Sequence, residues 1–402
     1  MSLKFNVEYF NKVRDRYYRS SKKQKSVILD EICQNTDLER KHVIKMLARG
    51  HHQGPKASGR TQSYSDASIY HLKKLWHLMG RICSKRMIAA FPIWLEFYEG
   101  KGFGPIVKDE LLSMSSSTVD RYLRAYKAQF ARNRRSATNS RGAKKFQAIV
   151  PLKLFEKKEI TPGFVEADTV AHCGNSLSGK FAWSLTMTDV STGWTNNRAF
   201  FGKGADETLS AIISIHDSLP YTLKSLNVDN GTEFLNRYFL EYFRRKNSVK
   251  LTRSRPYRKN DNCHVEQKNF THVREVFRYS RIDHEELIKY MNEIYRDYFN
   301  PLQNFFTPQI KMIEKSRVGS RYVRKYDQGK TPCHRLLESG VLSMKQKSDL
   351  EKVYNSLNPI ELKRGLSKKI SQFNSLKKSL DKRRKEDIYL PSYYDVKRYT
   401  MK

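Results

Sequence analysis

LKSLNVDNGTEFL, residues 223–235, runs from a strand-like stretch straight into a turn. Asn230 and Gly231 tolerate φ > 0, and an Asp ahead of them caps its own backbone, so turn chemistry alone accounts for the triplet at 229–231. It does not explain why a chain short of acids places a carboxylate, Asp229, at the lip of a buried strand. Upstream lie three β-rich stretches, FVEADTV (164–170), FAWSLTMTDV (181–190) and TGWTNNRAFFG (192–202). ADETLSAIISIHDSL (205–219) is helical, with Leu209, Ile212, Ile213 and Ile215 on or near its buried face. Downstream, NRYFLEYFRRKN (236–247) reads as a helix and VKLTRSRP (249–256) as a short strand. Two further helices follow in DNCHVEQKNFTHVREVFRYS (261–280) and HEELIKYMNEIYRDYFN (284–300). A three-strand meander followed by helix, strand, helix, strand, helix, helix predicts a mixed sheet with helices on its faces.

The composition names the class of partner. Lys and Arg number 76 against 41 acids, a net charge of +35, and 39% of the 402 residues are hydrophobic, enough for real cores. The length predicts two or three domains. Such an excess of positive charge repels itself unless a polyanion neutralises it, and nucleic acid is the usual one. A membrane surface is the alternative, but no stretch of about 18 apolar residues exists to span a bilayer. The first residues, MSLKFNVEYFNKVRDRYYRSSKK, contain no apolar run of signal-peptide type, so an intracellular, soluble protein is expected. Cys33, Cys83, Cys173, Cys263 and Cys333 are widely spaced and form no CxxC pair, which argues against a disulfide framework and a structural zinc site.

The N-terminal region reads as helical. In KSVILDEICQNTDLERKHVIKMLARG, apolar residues recur every three or four positions on either side of Thr36-Asp37, and Asp37 is placed to cap the second helix. Arg40, Lys41 and Lys45 lie on that second helix, so residues 1–50 read as a helix-turn-helix or a plain helical hairpin. HHQGPKASGRTQSYS (51–65) is a linker. A second helical block, 66–130, repeats the pattern. Leu111-Leu112 ends one helix, Ser115 to Ser117 makes the turn, and Val119, Tyr122 and Leu123 face inward while Arg121, Arg124 and Lys127 face out. Residues 131–160 form a basic linker, with Arg134, Arg135, Lys144 and Lys145 placed to lie along phosphates. Beyond residue 307 the region to 402 is basic and mainly helical by pattern. Leu362, Leu366, Ile370, Phe373, Leu376 and Leu380 form a stripe that needs a partner, which could be the tail itself, a second chain or DNA.

Three acids stand out in the strand-rich block: Asp168 in the first strand, Asp229 after the fourth, and Glu266 in the first turns of a later helix. Converging carboxylates call for a cation, and hard oxygen ligands select Mg²⁺ or Mn²⁺. Two such ions about 4 Å apart suit in-line phosphoryl transfer. Read one at a time, the same residues are a turn former, a helix surface charge and an incidental strand acid. Glu233 and Asp189 compete as acids; Asp189, beside Ser191-Thr192-Gly193, reads as a turn former, and His172 as a satisfied loop histidine or a DNA contact.

EADTV, NVDNGTEF and SRPYRKNDNCHVEQKN, in that order, resemble the catalytic core of DDE integrases and transposases. Glu266 follows Asp229 by 37 positions, close to the family's usual interval. The resemblance covers roughly residues 160 to 300 and implies a retroviral-integrase, RNase H-like core over 161–306. It further implies that Asp168, Asp229 and Glu266 are the catalytic ligands of two Mg²⁺ or Mn²⁺ ions, that no covalent protein–DNA intermediate forms, and that Asn269 accompanies Glu266. Arg258, Lys259, Lys268 and Arg274 flank the Glu and are placed to hold phosphates. His264 stands where the family often has Gly, and the His/Cys zinc domain of retroviral integrases is absent, with helix-turn-helix units in its place as in bacterial insertion-sequence transposases. The implied protein is multidomain, acts on double-stranded DNA as terminal repeats and target, and assembles as a homo-oligomer on DNA ends.

Overall fold

The structure is a computed structural model that describes residues 3–48, 63–130, 161–228, 234, 237–245, 249–253 and 262–389. The chain divides into two compact units, one up to Ser63 and one from Tyr64 on. Among the described residues no helix is long and apolar enough to cross a membrane.

The first unit holds α1 (Leu3–Arg19), α2 (Lys22–Thr36) and α3 (Arg40–Ala48). Phe10, Val13, Ile28, Leu29, Ile32, Val43 and Leu47 form its core, which explains the three- and four-residue spacing. Buried Arg14 donates through Nε to the Leu47 carbonyl (2.9 Å) and through Nη2 to that of Met46 (3.0 Å), satisfying the end of α3. Asp37 differs from its expected role. It sits at φ 58° and its N–H closes α2 on the Cys33 carbonyl, while α3 starts from the Glu39 carbonyl. A left-handed turn is a conformation Asp tolerates better than most residues.

The second unit opens with α4 (Asp66–Leu78), α5 (Ser84–Phe97), α6 (Pro105–Ser113) and α7 (Ser116–Ala128). Ser115 caps α7 by accepting from the Thr118 N–H (3.2 Å), and Val119 and Leu123 are buried as their spacing requires. Then come β1 (Phe164–Ala171), β2 (Ala182–Asp189), β3 (Thr195–Phe201), α8 (Ala205–Asp217), β4 (Ser225–Val228), α9 (Arg237–Arg245) and β5 (Lys250–Arg253). The strands form one sheet of order β3-β2-β1-β4-β5. β1 to β3 are antiparallel, and β4 and β5 run parallel to β1. This is the mixed sheet expected of an RNase H-like core. β3 begins three residues later than the sequence suggests, because Asp189, Thr192 and Gly193 (φ 77°) are used up in the turn before it.

α10 begins as Cys263–Lys268 and continues through a π-helical turn, Asn269–Arg274, to Glu275–Phe277. α11 comprises Leu287–Glu293, a π-helical Ile294–Phe299 and Asn300–Phe306. Edge strand β3 is covered by three asparagines of α11. Asn304 accepts from the Thr195 N–H (2.9 Å) and donates to its carbonyl (3.0 Å), and Asn292 does the same for Ala199 at 2.7 and 2.9 Å. Asn300 serves Asn197 between them, at 3.3 Å both ways. These carboxamides stand in for a missing neighbour strand and close the edge to outside pairing. Asn304→Ala would orphan two buried backbone groups. An unfolding midpoint in urea should therefore fall by the equivalent of about 2–4 kcal/mol.

The chain beyond α11 adds a hairpin of β6 (Met312–Val318) and β7 (Arg321–Tyr326), then α12 (Pro332–Glu338), α13 (Met344–Ser356) and α14 (Pro359–Tyr389). The hairpin is a departure from the mainly helical reading. Both its faces meet solvent, so no buried side imposes an alternating apolar pattern. The apolar stripe of α14 finds its partner inside the unit. Leu362, Leu366, Phe373 and Leu380 are buried in the core shared with α11, and the Phe373 ring lies 5.1 Å from that of Phe277.

Candidate active site

Strand alternation puts Glu166 and Asp168 on one face of β1, one pleat apart. α10 lies along that face and is pinned to both. The buried Glu166 carboxylate accepts, through Oε2, the backbone N–H groups of His264 (2.9 Å) and Val265 (3.0 Å). Asn269 Nδ2 donates to Asp168 Oδ2 at 2.6 Å, and the Thr169 N–H donates to Oδ1 at 2.8 Å. The distances match without strain. Two strand residues advance about 6.6 Å, and four or five helical residues advance about 6–7.5 Å.

Glu266 lies between these two anchors, exposed in the first turn of α10. It precedes Asn269 by three residues, which places both on one side of the helix, and Asn269 is on Asp168. The start of α10 is also tied to β4. Asn227, beside Glu166 in the sheet, donates to Asn262, and Thr252 of β5 donates to Asn227 Oδ1 at 2.9 Å. β4 ends at Val228, immediately before Asp229 in sequence; Asp229 itself lies outside the described residues.

Cations gather near Lys268 of α10. Burial, with Arg86 and Lys311 nearby, lowers the Lys268 pKa to about 7. Burial and Arg335 bring that of Lys311 to about 8. Burial and the same two lysines lower His264 to about 4, and burial holds His272 well below its usual value, so both imidazoles are neutral near pH 7. The positive charge around α10 therefore comes from Lys268, Lys311, Arg86 and Arg335 and not from these imidazoles.

The other sequence-derived positions divide. Lys41 and Lys45 are exposed on α3, while Arg40 engages Asp30 and the Ser26 hydroxyl (2.7 Å). Arg124 is exposed on α7, Arg121 lies over the Tyr122 ring at 5.6 Å, and Lys127 is held by Asp120 at 2.7 Å. Arg274 packs over the Tyr279 ring at 4.9 Å. Arg134, Arg135, Lys144, Lys145, Glu233, Arg258 and Lys259 lie outside the described residues. His172 is a core histidine: it is buried, its Nε2 is 2.8 Å from Ser184 Oγ while its Nδ1 has no hydrogen-bond partner, and burial lowers its pKa to about 3. Asp189 is a buried turn former that accepts from Gly163, Thr192 N–H and Thr192 Oγ1 at 2.8, 2.6 and 2.7 Å. Asp283, His284 and Asp381 also gather within metal-binding reach of one another. Their carboxylates already face Arg281 (2.8 Å), Arg384 and Lys377 (2.7 Å), which makes the cluster an ion-pair lock holding α14.

Glu166, Asn227 and Asn262 were not singled out by the sequence reading. Glu166 had a signal: it shares the strand face of Asp168 in EADTV.

The chain is 32% identical over 332 residues to the uncharacterized protein y4rM of Sinorhizobium fredii, an overlap of 81% of this chain and 93% of that one. The chain belongs to the y4rM family. No family model matches it. Among solved structures, the catalytic core domain of BIV integrase covers 44% of this chain and 95% of its own length, at 16% identity and a TM-score of 0.28. The HTLV-2 integrase catalytic core domain in complex with magnesium covers 27% and 66%, at 21% identity and a TM-score of 0.22. At such scores the likeness carries no weight, and the fold of this y4rM relative rests on its own strand order and register.

Proposed function

We propose that this y4rM-family protein is a DNA transposase or integrase of the DDE type. The observation that carries the proposal is the bond from Asn269 to Asp168, which brings the helix of Glu266 onto the middle strand beside the end of β4. Asp168, Asp229 and Glu266 would hold Mg²⁺ or Mn²⁺. The donor set suits that choice, since Asp168 and Glu266 offer only carboxylate oxygens and Asn269 Oδ1 is buried without a hydrogen-bond partner. Such ions supply Lewis-acid polarisation of the attacking and leaving oxygens of a phosphodiester.

The protein's own residues then have distinct tasks. Asn269 fixes the rotamer of Asp168, Glu166 fixes the start of the Glu266 helix, and the buried Lys268, Lys311 and Arg86 add only a long-range positive potential. The α2–α3 and α6–α7 pairs would act as helix-turn-helix modules that read terminal repeats, with Lys41, Lys45 and Arg124 as their open cations. The product chemistry is hydrolysis to a 3′-hydroxyl, followed by attack of that hydroxyl on target DNA, with the chains assembled as an oligomer on the ends.

Strand transfer tests this reading. Labelled duplex bearing the element's ends, target plasmid and Mg²⁺ should give joined product that chelation removes. Nicking without joining would make the protein a nuclease, and binding without cleavage in either Mg²⁺ or Mn²⁺ would make it a DNA-binding regulator.

A further inference from the structure

The β6–β7 hairpin has a composition and setting that its own stability does not explain. A two-stranded ribbon is marginal in water unless a face packs on something. Here β7 is exposed throughout, with Tyr322, Val323 and Tyr326 each about half open to solvent. The register sorts its side chains. Lys315 lies opposite Arg324, and Arg317 opposite Tyr322. Opposed residues share a face, so Lys315, Arg317, Arg324 and Tyr322 form one side, with Lys315 Nζ 4.3 Å from the Tyr322 ring centre. No acid is on that side; Glu314 is on the other, paired with Lys325 at 2.9 Å. Like charges directly opposite in a ladder are destabilising, so Lys315 against Arg324 weakens the ribbon until an anion covers it.

We infer that this face is a DNA-docking arm. A two-stranded ribbon fits the major groove, and seven residues of strand span about 24 Å, enough to reach across it. A second copy of the chain docking the same face would set these cations against themselves, which excludes the simplest symmetric contact. The base of the arm is firmly held. Asp327 accepts from the Lys311 N–H at 2.7 Å and from Arg335 at 2.7 Å, and Lys311 Nζ donates to the Val190 carbonyl at 2.8 Å in the turn after β2. That turn adjoins Asp189, which pairs with Val165, three residues before Asp168. The arm thus springs from the core about 10 Å along β1 from Asp168. The inference shares with the proposed function only the premise that the ligand is DNA.

The test is duplex binding by the full chain, read by fluorescence anisotropy over a salt series with a short duplex of arbitrary sequence. Lys315→Gln, Arg317→Gln and Arg324→Gln together should lower the slope of log affinity against log salt by roughly three and weaken binding at about 0.1 M salt by 10- to 100-fold. The unfolding midpoint should not fall, because Arg317 and Arg324 are exposed and relief of the Lys315–Arg324 repulsion offsets the loss of the half-buried Lys315 from the Tyr322 ring. Arg321→Gln with Lys325→Gln, on the opposite face, should lower the slope by less than about one. An unchanged slope in the triple variant overturns the arm, as does an equal loss in both variants. A change in sedimenting size with DNA affinity intact overturns it in favour of self-association. Joining activity with unaltered affinity in the triple variant would remove the arm and keep the catalytic reading, whereas arm-dependent binding without cleavage would do the reverse.

Discussion

Asp168→Asn is expected to lower the rate of end cleavage and joining on the order of 10³-fold, about 4 kcal/mol of barrier, while leaving duplex affinity intact. The substitution keeps the side-chain shape and removes only the charge. Its oxygen can still accept the Thr169 N–H, which leaves its amide nitrogen facing the amide nitrogen of Asn269. Asn269 can relieve that donor–donor contact by turning its carboxamide over, since its Oδ1 has no hydrogen-bond partner to lose. Stability should therefore change by less than about 1 kcal/mol, within the range of most single substitutions, and a normal unfolding midpoint would locate the loss in the chemistry. Glu266→Gln, at an exposed position, should behave alike. Asn269→Ala should be milder, because it frees the Asp168 rotamer but leaves all three carboxylates in place. A 10- to 100-fold loss and a higher divalent-ion requirement are expected there. Cleavage by Asp168→Asn within tenfold of the native rate would sink the three-carboxylate assignment.

What was legible in the sequence is what burial writes into it. The alternation in FVEADTV and the three- and four-residue spacing of Leu209, Ile212 and Ile215 each record a buried face, and the succession of strands and helices along the chain followed from counting such stretches. The apolar stripe of α14 was equally plain. Its partner was not, because a stripe shows how much surface must be covered and not what covers it. Three features left no such record. The hairpin buries neither face, so its pattern carries no period to detect. Asn292, Asn300 and Asn304 act on the backbone of β3, which has no residue code to match. The bonds of Glu166 reach 98 and 99 positions along the chain, so EADTV shows the face it shares with Asp168 but not the partners it holds. At the site itself, sequence motifs named Asp168, Glu266 and Asn269, whereas the polar residues that fix the helix to the sheet emerged only from three-dimensional contacts.

Glu166 gives the second large effect. Its carboxylate receives two buried N–H groups at the start of α10, where helix amides have no internal partners and an anion is favoured. Glu166→Ala leaves both donors unsatisfied, at about 1–3 kcal/mol each, and the simplest relief is for the first turn of α10 to fray toward water. Glu266 is the residue after Val265, so fraying moves it directly. A displacement of about 1 Å at a reacting group costs on the order of 10²-fold, and joining should fall by that amount. Glu166→Gln separates geometry from charge. Its amide oxygen can accept both N–H groups, so activity within about tenfold of native is expected if the side chain acts by holding the helix. A direct metal-ligand role for Glu166 predicts instead that Gln is as inactive as Ala. Hydrogen exchange supplies a readout that needs no activity: the peptide spanning residues 262–270 should exchange faster in the Ala variant and near the native rate in the Gln variant. If exchange there is unchanged in Glu166→Ala, the carboxylate does not position this helix, whatever the enzyme assay shows.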